Sequence, residues 1–154
     1  MPIKILVADD SAAVRVVVKN VLRDRPEFEV CGEAIDGLET LQKAEQLAPD
    51  VILLDLAMPK INGIEAASIL KSRFPKLCII VFTFHGESIG DSLKSAIGAD
   101  LFLAKPEGIS TVLEAIEAVV ASRNRYESTL PNGSEPIEQP LVPPRVVATP
   151  ENTN

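Results

Sequence analysis

The chain has little to cross-link it and little to attract polyanions. Its two cysteines, Cys31 and Cys78, stand in separate apolar segments. Two are too few for a disulfide framework and fit small core side chains in a reducing compartment. Positive charge is short: 15 Lys+Arg stand against 22 Asp+Glu, a formal net charge of −7. Such a surface repels both nucleic acid and anionic lipid, so neither is bound by general attraction. The opening Met1-Pro2-Ile3-Lys4-Ile5-Leu6-Val7 runs straight into Ala8-Asp9-Asp10. It lacks the basic start, longer apolar run and small-residue cleavage site of a secretion signal. No stretch approaches the roughly 18 uninterrupted apolar residues of a membrane span. A cytoplasmic protein without membrane contact is expected. What remains is an ordinary globular composition, 46% hydrophobic and 24% charged over 154 residues, with room for one domain.

One change of composition divides that length. Six of the 12 prolines, Pro131, Pro136, Pro140, Pro143, Pro144 and Pro150, fall after Arg125 among Asn, Ser, Thr, Glu and Gly. Proline fixes φ and removes a backbone donor, so residues 125–154 are expected to form a disordered or polyproline-like tail. The domain is expected in residues 1–124. Within it, apolar runs alternate with helical stripes. Strands are predicted at Ile3–Ala8, Phe28–Cys31, Val51–Leu54, Leu77–Phe82 and Leu101–Ala104. Between and after them, Val14, Val17, Val18, Val21 and Leu22 have the i, i+3, i+4 spacing of a helix face. So do Leu38, Leu41, Ala44 and Ala48 before Pro49, and residues 63–73 before Pro75. Ile89, Leu93, Ala96 and Ile97 mark a fourth helix, with Ile89 and Leu93 expected in the core. Ile109, Val112, Leu113, Ile116, Val119 and Val120 mark a fifth. Strict alternation implies right-handed crossovers and an α/β fold with a five-stranded parallel sheet covered on both faces.

Ligands on such sheets bind at the carboxyl ends of the strands. The chain places Asp9-Asp10 after strand one, Asp55 after strand three, Thr83 after strand four and Lys105 after strand five. Three carboxylates at one edge repel each other and call for a cation. Mg²⁺ suits oxygen ligands and retained waters. With a lysine and a hydroxyl beside it, such an edge is a place for a phosphoryl group. A lone strand-end aspartate is usually only a helix cap; the combination is far less common.

At these residues the sequence resembles the receiver domain of bacterial two-component response regulators. The matching segments are Leu6-Val7-Ala8-Asp9-Asp10-Ser11, the run from Pro49 to Pro59 that contains Asp55-Leu56-Ala57-Met58, Asn62-Gly63, Thr83 and Lys105-Pro106. Cys31-Gly32-Glu33-Ala34 with Asp36-Gly37 is most similar to receivers that precede helix-turn-helix output domains. The resemblance spans about residues 3–122 and implies a flavodoxin-like (CheY-like) doubly wound sheet of order 2-1-3-4-5 with five helices. It implies that Asp55 accepts a phosphoryl group from a histidine kinase or a histidine phosphotransfer protein. It also implies Mg²⁺ held by the Asp10 and Asp55 side chains and the Ala57 carbonyl, with Asp9 acting through a water. Lys105 and Thr83 would contact phosphoryl oxygens, Thr83 and Phe102 would form the conformational switch, and Lys105-Pro106 would be a cis peptide. Met58-Pro59 and Asn62-Gly63 are expected to shape the loop after Asp55. Gly63 would either tolerate a positive φ or start the next helix without steric cost.

The pattern departs in three places. Family members usually carry a small residue after the switch threonine, where this chain has Phe84 followed by His85, its only histidine. Ala57, two residues after Asp55, has no polar side chain. Phe84, His85 and Ala57 are therefore candidates to modulate donor access and the lifetime of the phosphoryl group. No basic helix or helix-turn-helix pattern follows the fifth helix, so no direct DNA binding is expected. The expected output is contact with a downstream protein through the face of the fourth helix, fifth strand and fifth helix. The same face is where a phosphorylation-dependent homodimer would form. The expected role is thus a stand-alone phosphoacceptor, not an enzyme acting on other substrates. Two alternatives are a receiver-like interaction module with weak or vestigial phosphorylation and an FMN-binding redox protein. The latter lacks its phosphate loop and flanking aromatics: there is no Trp and one Tyr.

Overall fold

The apolar runs pair side by side in one parallel sheet because the central strands, above all Val51–Leu54 and Cys78–Thr83, are buried on both faces and only a two-sided cover can do that. The computed structural model describes residues 1–84, 89–105 and 108–129. Its elements alternate as predicted: β1 (Ile3–Ala8), α1 (Ala12–Arg23), β2 (Phe28–Ala34), α2 (Gly37–Leu47), β3 (Val51–Leu54), α3 (Gly63–Arg73), β4 (Cys78–Thr83), α4 (Asp91–Ile97), β5 (Leu101–Ala104) and α5 (Gly108–Thr129). The five strands lie in the order β2-β1-β3-β4-β5, with all four pairings parallel. This is the doubly wound sheet that the alternation implied.

Successive strand residues feed opposite layers. Ile5, Val7, Val51, Leu53, Ile80 and Phe82 pack with Val18 and Leu22 of α1 and with Val112, Ile116 and Val119 of α5. Leu6, Ala8, Ile52, Leu54, Ile79 and Val81 pack with Ala44 of α2, Ala67 and Leu70 of α3 and Ile97 of α4. In the central strand Val51, Ile52, Leu53 and Leu54 are all at most 2% exposed. Burying each such side chain contributes about 1.5–3 kcal/mol. That continuous two-sided burial is why β3 reads as an unbroken run, and the ladder fixes the backbone of the residue after it, Asp55, at the sheet's edge.

Four expectations need correction. β2 runs three residues past Cys31, to Ala34. It is an edge strand, and Glu33 is satisfied there by Arg15 at 3.1 Å and Lys19 at 2.9 Å. On α1, Val18 and Leu22 face the core, but Val17 of the same stripe is 37% exposed. Leu93 is also exposed rather than core, because α4 starts only at Asp91 and spans seven residues. Ile89, just before it, does pack against the α2–α4 layer. Finally, α5 continues through residues 125–129, which composition had assigned to the tail. Arg123 and Glu127 pair along it at i, i+4, and the first proline comes only at Pro131. The rest of the expected tail lies outside the described residues.

Gly63 is required by space and not by backbone angle. Its φ is not positive; instead, a Cβ there would lie 2.3 Å from the Asp55 carbonyl oxygen and 2.5 Å from Leu56 Cα. Gly63→Ala is expected to destabilise the fold by about 1–3 kcal/mol through overpacking against backbone that cannot yield. Urea unfolding measures this, and an unchanged midpoint would mean that the loop gives way freely.

Candidate functional site

Backbone hydrogen bonds carry the ladders one residue past the strands and so aim their ends together. Asp9 N donates to Ala34 O at 3.0 Å, Asp55 N to Ala8 O at 2.9 Å, and Lys105 N to Thr83 O at 3.0 Å. The carboxylates of Asp9, Asp10 and Asp55 each offer an oxygen, and the three atoms lie within 4.8 Å of one another. Asp9 and Asp55 are buried, whereas Asp10 is exposed at the rim.

One cation serves the two buried acids. Lys105 Nζ donates to Asp9 Oδ2 in a direct ion pair and stands 3.6 Å from Asp55 Oδ2. It also sits 5.3 Å from the centre of the Phe82 ring and 5.1 Å from that of Phe84. These rings hold the ammonium on apolar surface, where cation–π attraction favours it. Asp9 is fixed further: its Oδ1 accepts the Ser11 amide at 2.9 Å, and its carbonyl accepts from the Arg15 guanidinium at 2.7 Å. Ser11 in turn caps α1, accepting from Val14 N. Among the described residues, Asp55 accepts a 3.2 Å bond from Ala57 N besides its more distant lysine. Burial pushes the Asp55 carboxyl above its ordinary range, opposed by Lys105 and the Ala57 amide and reinforced by Asp9 and Asp10. Of the two buried acids, Asp55 is the less tightly held.

The donor set fits a hard divalent ion. Among the described residues the three carboxylates meet one ammonium, leaving net negative charge that suits a hard cation with retained waters. Asp10 and Asp55 supply two of these oxygens, and exposed Ala57 follows two residues after Asp55, in the bend after β3.

The other predicted residues divide. Thr83 is buried at the end of β4, opposite Ala104 of β5. Phe102 is half-buried, packed against the α2–α4 layer with Lys94 Nζ 5.6 Å from its ring. Phe84 is 63% exposed and borders the site through Lys105. His85 and the Lys105-Pro106 peptide lie outside the described residues. Reading the sequence missed the part of Phe82, which looked like one more strand residue. Only its register opposite Leu103, next to the end of β5, puts its ring beside Lys105. Both cysteines are free, Cys78 buried and Cys31 partly so. Among the described residues no helix is long and apolar enough to cross a membrane.

Comparison with known proteins points the same way. The response regulator receiver domain family matches residues 5–117. Chemotaxis protein CheY of Listeria monocytogenes is 35% identical over 117 residues, covering 75% of this chain and 96% of the relative. A protein-glutamate methylesterase/protein-glutamine glutaminase of Pyrococcus horikoshii is 34% identical over 131 residues, covering 84% of this chain. The chain spans only 36% of that longer protein. The response regulator domain of Thermotoga maritima CheB superposes with a TM-score of 0.70 at 35% identity, covering 80% of this chain and 98% of the other. The strand order, the acidic strand ends and these matches agree: the chain belongs to the response regulator receiver domain family.

Proposed function

We propose that Asp55 accepts a phosphoryl group from the phosphohistidine of a histidine kinase or histidine phosphotransfer protein, and that a downstream protein reads the result. The observation that carries this is the single ammonium of Lys105 set between a tightly held Asp9 and a less constrained Asp55. An Asp55 oxygen forms the new bond to phosphorus as the P–N bond to the donor imidazole breaks, and the imidazole leaves with the electron pair. Lys105 is already 3.6 Å from Asp55 and neutralises oxygen charge on the incoming group. Thr83, buried beside it at the end of β4, donates its hydroxyl to another phosphoryl oxygen. Asp9 keeps Lys105 in place.

Mg²⁺ would be held by Asp10, Asp55 and the Ala57 carbonyl, with Asp9 through a water. When bound, it supplies charge neutralisation and orientation for in-line transfer. The proposed readout runs through Thr83 and Phe102 to the face of α4, β5 and α5, where a protein target or a second phosphorylated copy would bind. The proposed setting is the cytoplasm. The test is incubation with Mg²⁺ and a phosphohistidine donor, which should give an acid-stable, base-labile phosphoryl on the protein. No incorporation from any competent donor contradicts the proposal.

One observation favours the interaction-module alternative. The exposed Phe84 ring lies 5.1 Å from the Lys105 ammonium, the group that would neutralise an incoming phosphoryl. We read the ring as a modulator: it slows both donor entry and water entry. Phe84→Ala should raise the rates of phosphoryl gain and loss by up to about tenfold, equal to about 1.4 kcal/mol of barrier. Both rates are measured by following labelled phosphoryl with time. If both stay unchanged, Phe84 is no gate.

A further inference from the structure

Asp36-Gly37 stands out in the sequence but takes no part in the site just described, yet the loop that carries Ala57 is pressed against it. Asp36 is 4% exposed and caps α2, its Oδ1 accepting from Glu39 N at 2.8 Å. Its carbonyl accepts both the amide and the hydroxyl of fully buried Thr40, at 3.0 and 2.7 Å. The residue is therefore rigidly part of α2. Its remaining carboxylate oxygen, Oδ2, points away from the helix and pairs with Lys60 Nζ at 3.0 Å.

Lys60 sits in the connection between β3 and α3 with φ of 65°. That left-handed conformation is uncommon for a lysine and persists where the surroundings hold it. Beside it the backbones meet directly. Gly37 N donates to Pro59 O at 3.5 Å, and a Cβ on Gly37 would lie 1.7 Å from Ile61 O. No residue but glycine lets α2 come this close. At its other end the connection is closed on itself, Gly63 N donating to Leu56 O at 3.0 Å. Ala57 lies between the two fastenings.

From this juxtaposition we infer that Asp36, through its pair with Lys60, is a positioning residue that fixes the loop backbone at Ala57 for the divalent ion. The inference rests on the proposed reading of Asp10, Asp55 and the Ala57 carbonyl as ligands. Lys60 is largely exposed at its end of the pair, where solvent screening keeps the gain in global stability small, so the pair acts on local order. Groups that orient metal ligands from outside the ligand set typically govern metal affinity by about tenfold or more.

The experiment compares the whole chain with Asp36→Asn, Lys60→Gln, the double variant and Asp10→Asn. Amide hydrogen exchange and calorimetric titration with Mg²⁺ are measured on each. Asparagine keeps the capping oxygen, so α2 amides should keep their protection in Asp36→Asn. Exchange at residues 56–61 should quicken, and Mg²⁺ should bind about tenfold more weakly, in each single variant. The double variant should be no weaker than either single one, because both remove the same pair. Unchanged loop exchange and unchanged Mg²⁺ affinity in Lys60→Gln would overturn the inference. So would a loss of protection spread evenly over α2, which would make the role merely structural. Asp10→Asn separates the two readings: if it leaves Mg²⁺ binding intact, the ligand assignment fails. Quickened loop exchange in Lys60→Gln would then still support the clamp.

Discussion

Asp55→Asn is expected to abolish phosphoryl incorporation and, without divalent ions, to melt at a higher temperature than the native sequence. The amide oxygen is not a nucleophile, and no neighbour replaces it. Asp9 is held by Lys105, the Ser11 amide and, through its carbonyl, Arg15. Asp10 lies at the exposed rim, away from the lysine pair. The gain in stability has a separate cause. Burial and two neighbouring acids disfavour the charged form of Asp55, and Lys105 offsets them only in part. Removing that charge is expected to add about 1 kcal/mol, or about 2–4 °C in a chain of this size. Incorporation is followed with a phosphohistidine donor, and the melt by circular dichroism. Incorporation at the native level in this variant, or a lower melting point, would contradict the assignment.

Lys105→Met is expected to be the most destabilising change at the site. Methionine keeps the apolar contact with Phe82 and Phe84 but leaves the buried carboxylates of Asp9 and Asp55 without their cation. Breaking a buried pair by removing one partner costs about 3–5 kcal/mol. The deficit depends on pH, with a definite sign. Lys105 lowers the Asp55 carboxyl against the rise caused by burial, so its loss raises that carboxyl further. The folded variant then binds protons that the unfolded chain, with carboxyls near 3.9, has already released. Folding stability therefore falls as pH rises through the window above about 3.9. The gap from the native protein is smallest in acid and widest at neutral pH. Urea unfolding at several pH values reads this directly. Added Mg²⁺ should narrow the neutral-pH gap by binding the freed carboxylates in the folded state alone. A deficit of constant size across pH would mean that the lysine acts through packing and not charge.

Most of the fold was legible in the sequence because its physics is local. Val51–Leu54 is apolar at every position, and only a strand buried on both faces accepts that. Asp55, Thr83 and Lys105 could be placed by counting to the ends of such runs. The misreadings come where distant residues decide. β2 was cut short because Gly32 and Glu33 look wrong for a strand until Arg15 and Lys19 of α1 lie beside Glu33. Leu93 looked like core because its spacing to Ile97 fits one helix face, yet in the seven-residue α4 only Ile97 is buried and Leu93, in the first turn, stays exposed. The extension of α5 was hidden by a change in composition that precedes the first proline of that region. Asp36 and Lys60 are far apart in sequence, and their pairing depends on how α2 packs beside α3. The site was legible in its residue types but not in its couplings: no pattern in the chain says that Lys105 sits between two rings.

The most direct measurement is the chemical location of the phosphoryl group. The protein, incubated with Mg²⁺ and a phosphohistidine donor, is trapped by borohydride, which reduces an aspartyl phosphate to homoserine. Tryptic peptides are then sequenced by mass spectrometry. The account predicts that conversion is confined to the peptide of residues 44–60 and falls on Asp55. Conversion at Asp50 of the same peptide, at Asp9 or Asp10, or nowhere in the chain, would contradict it.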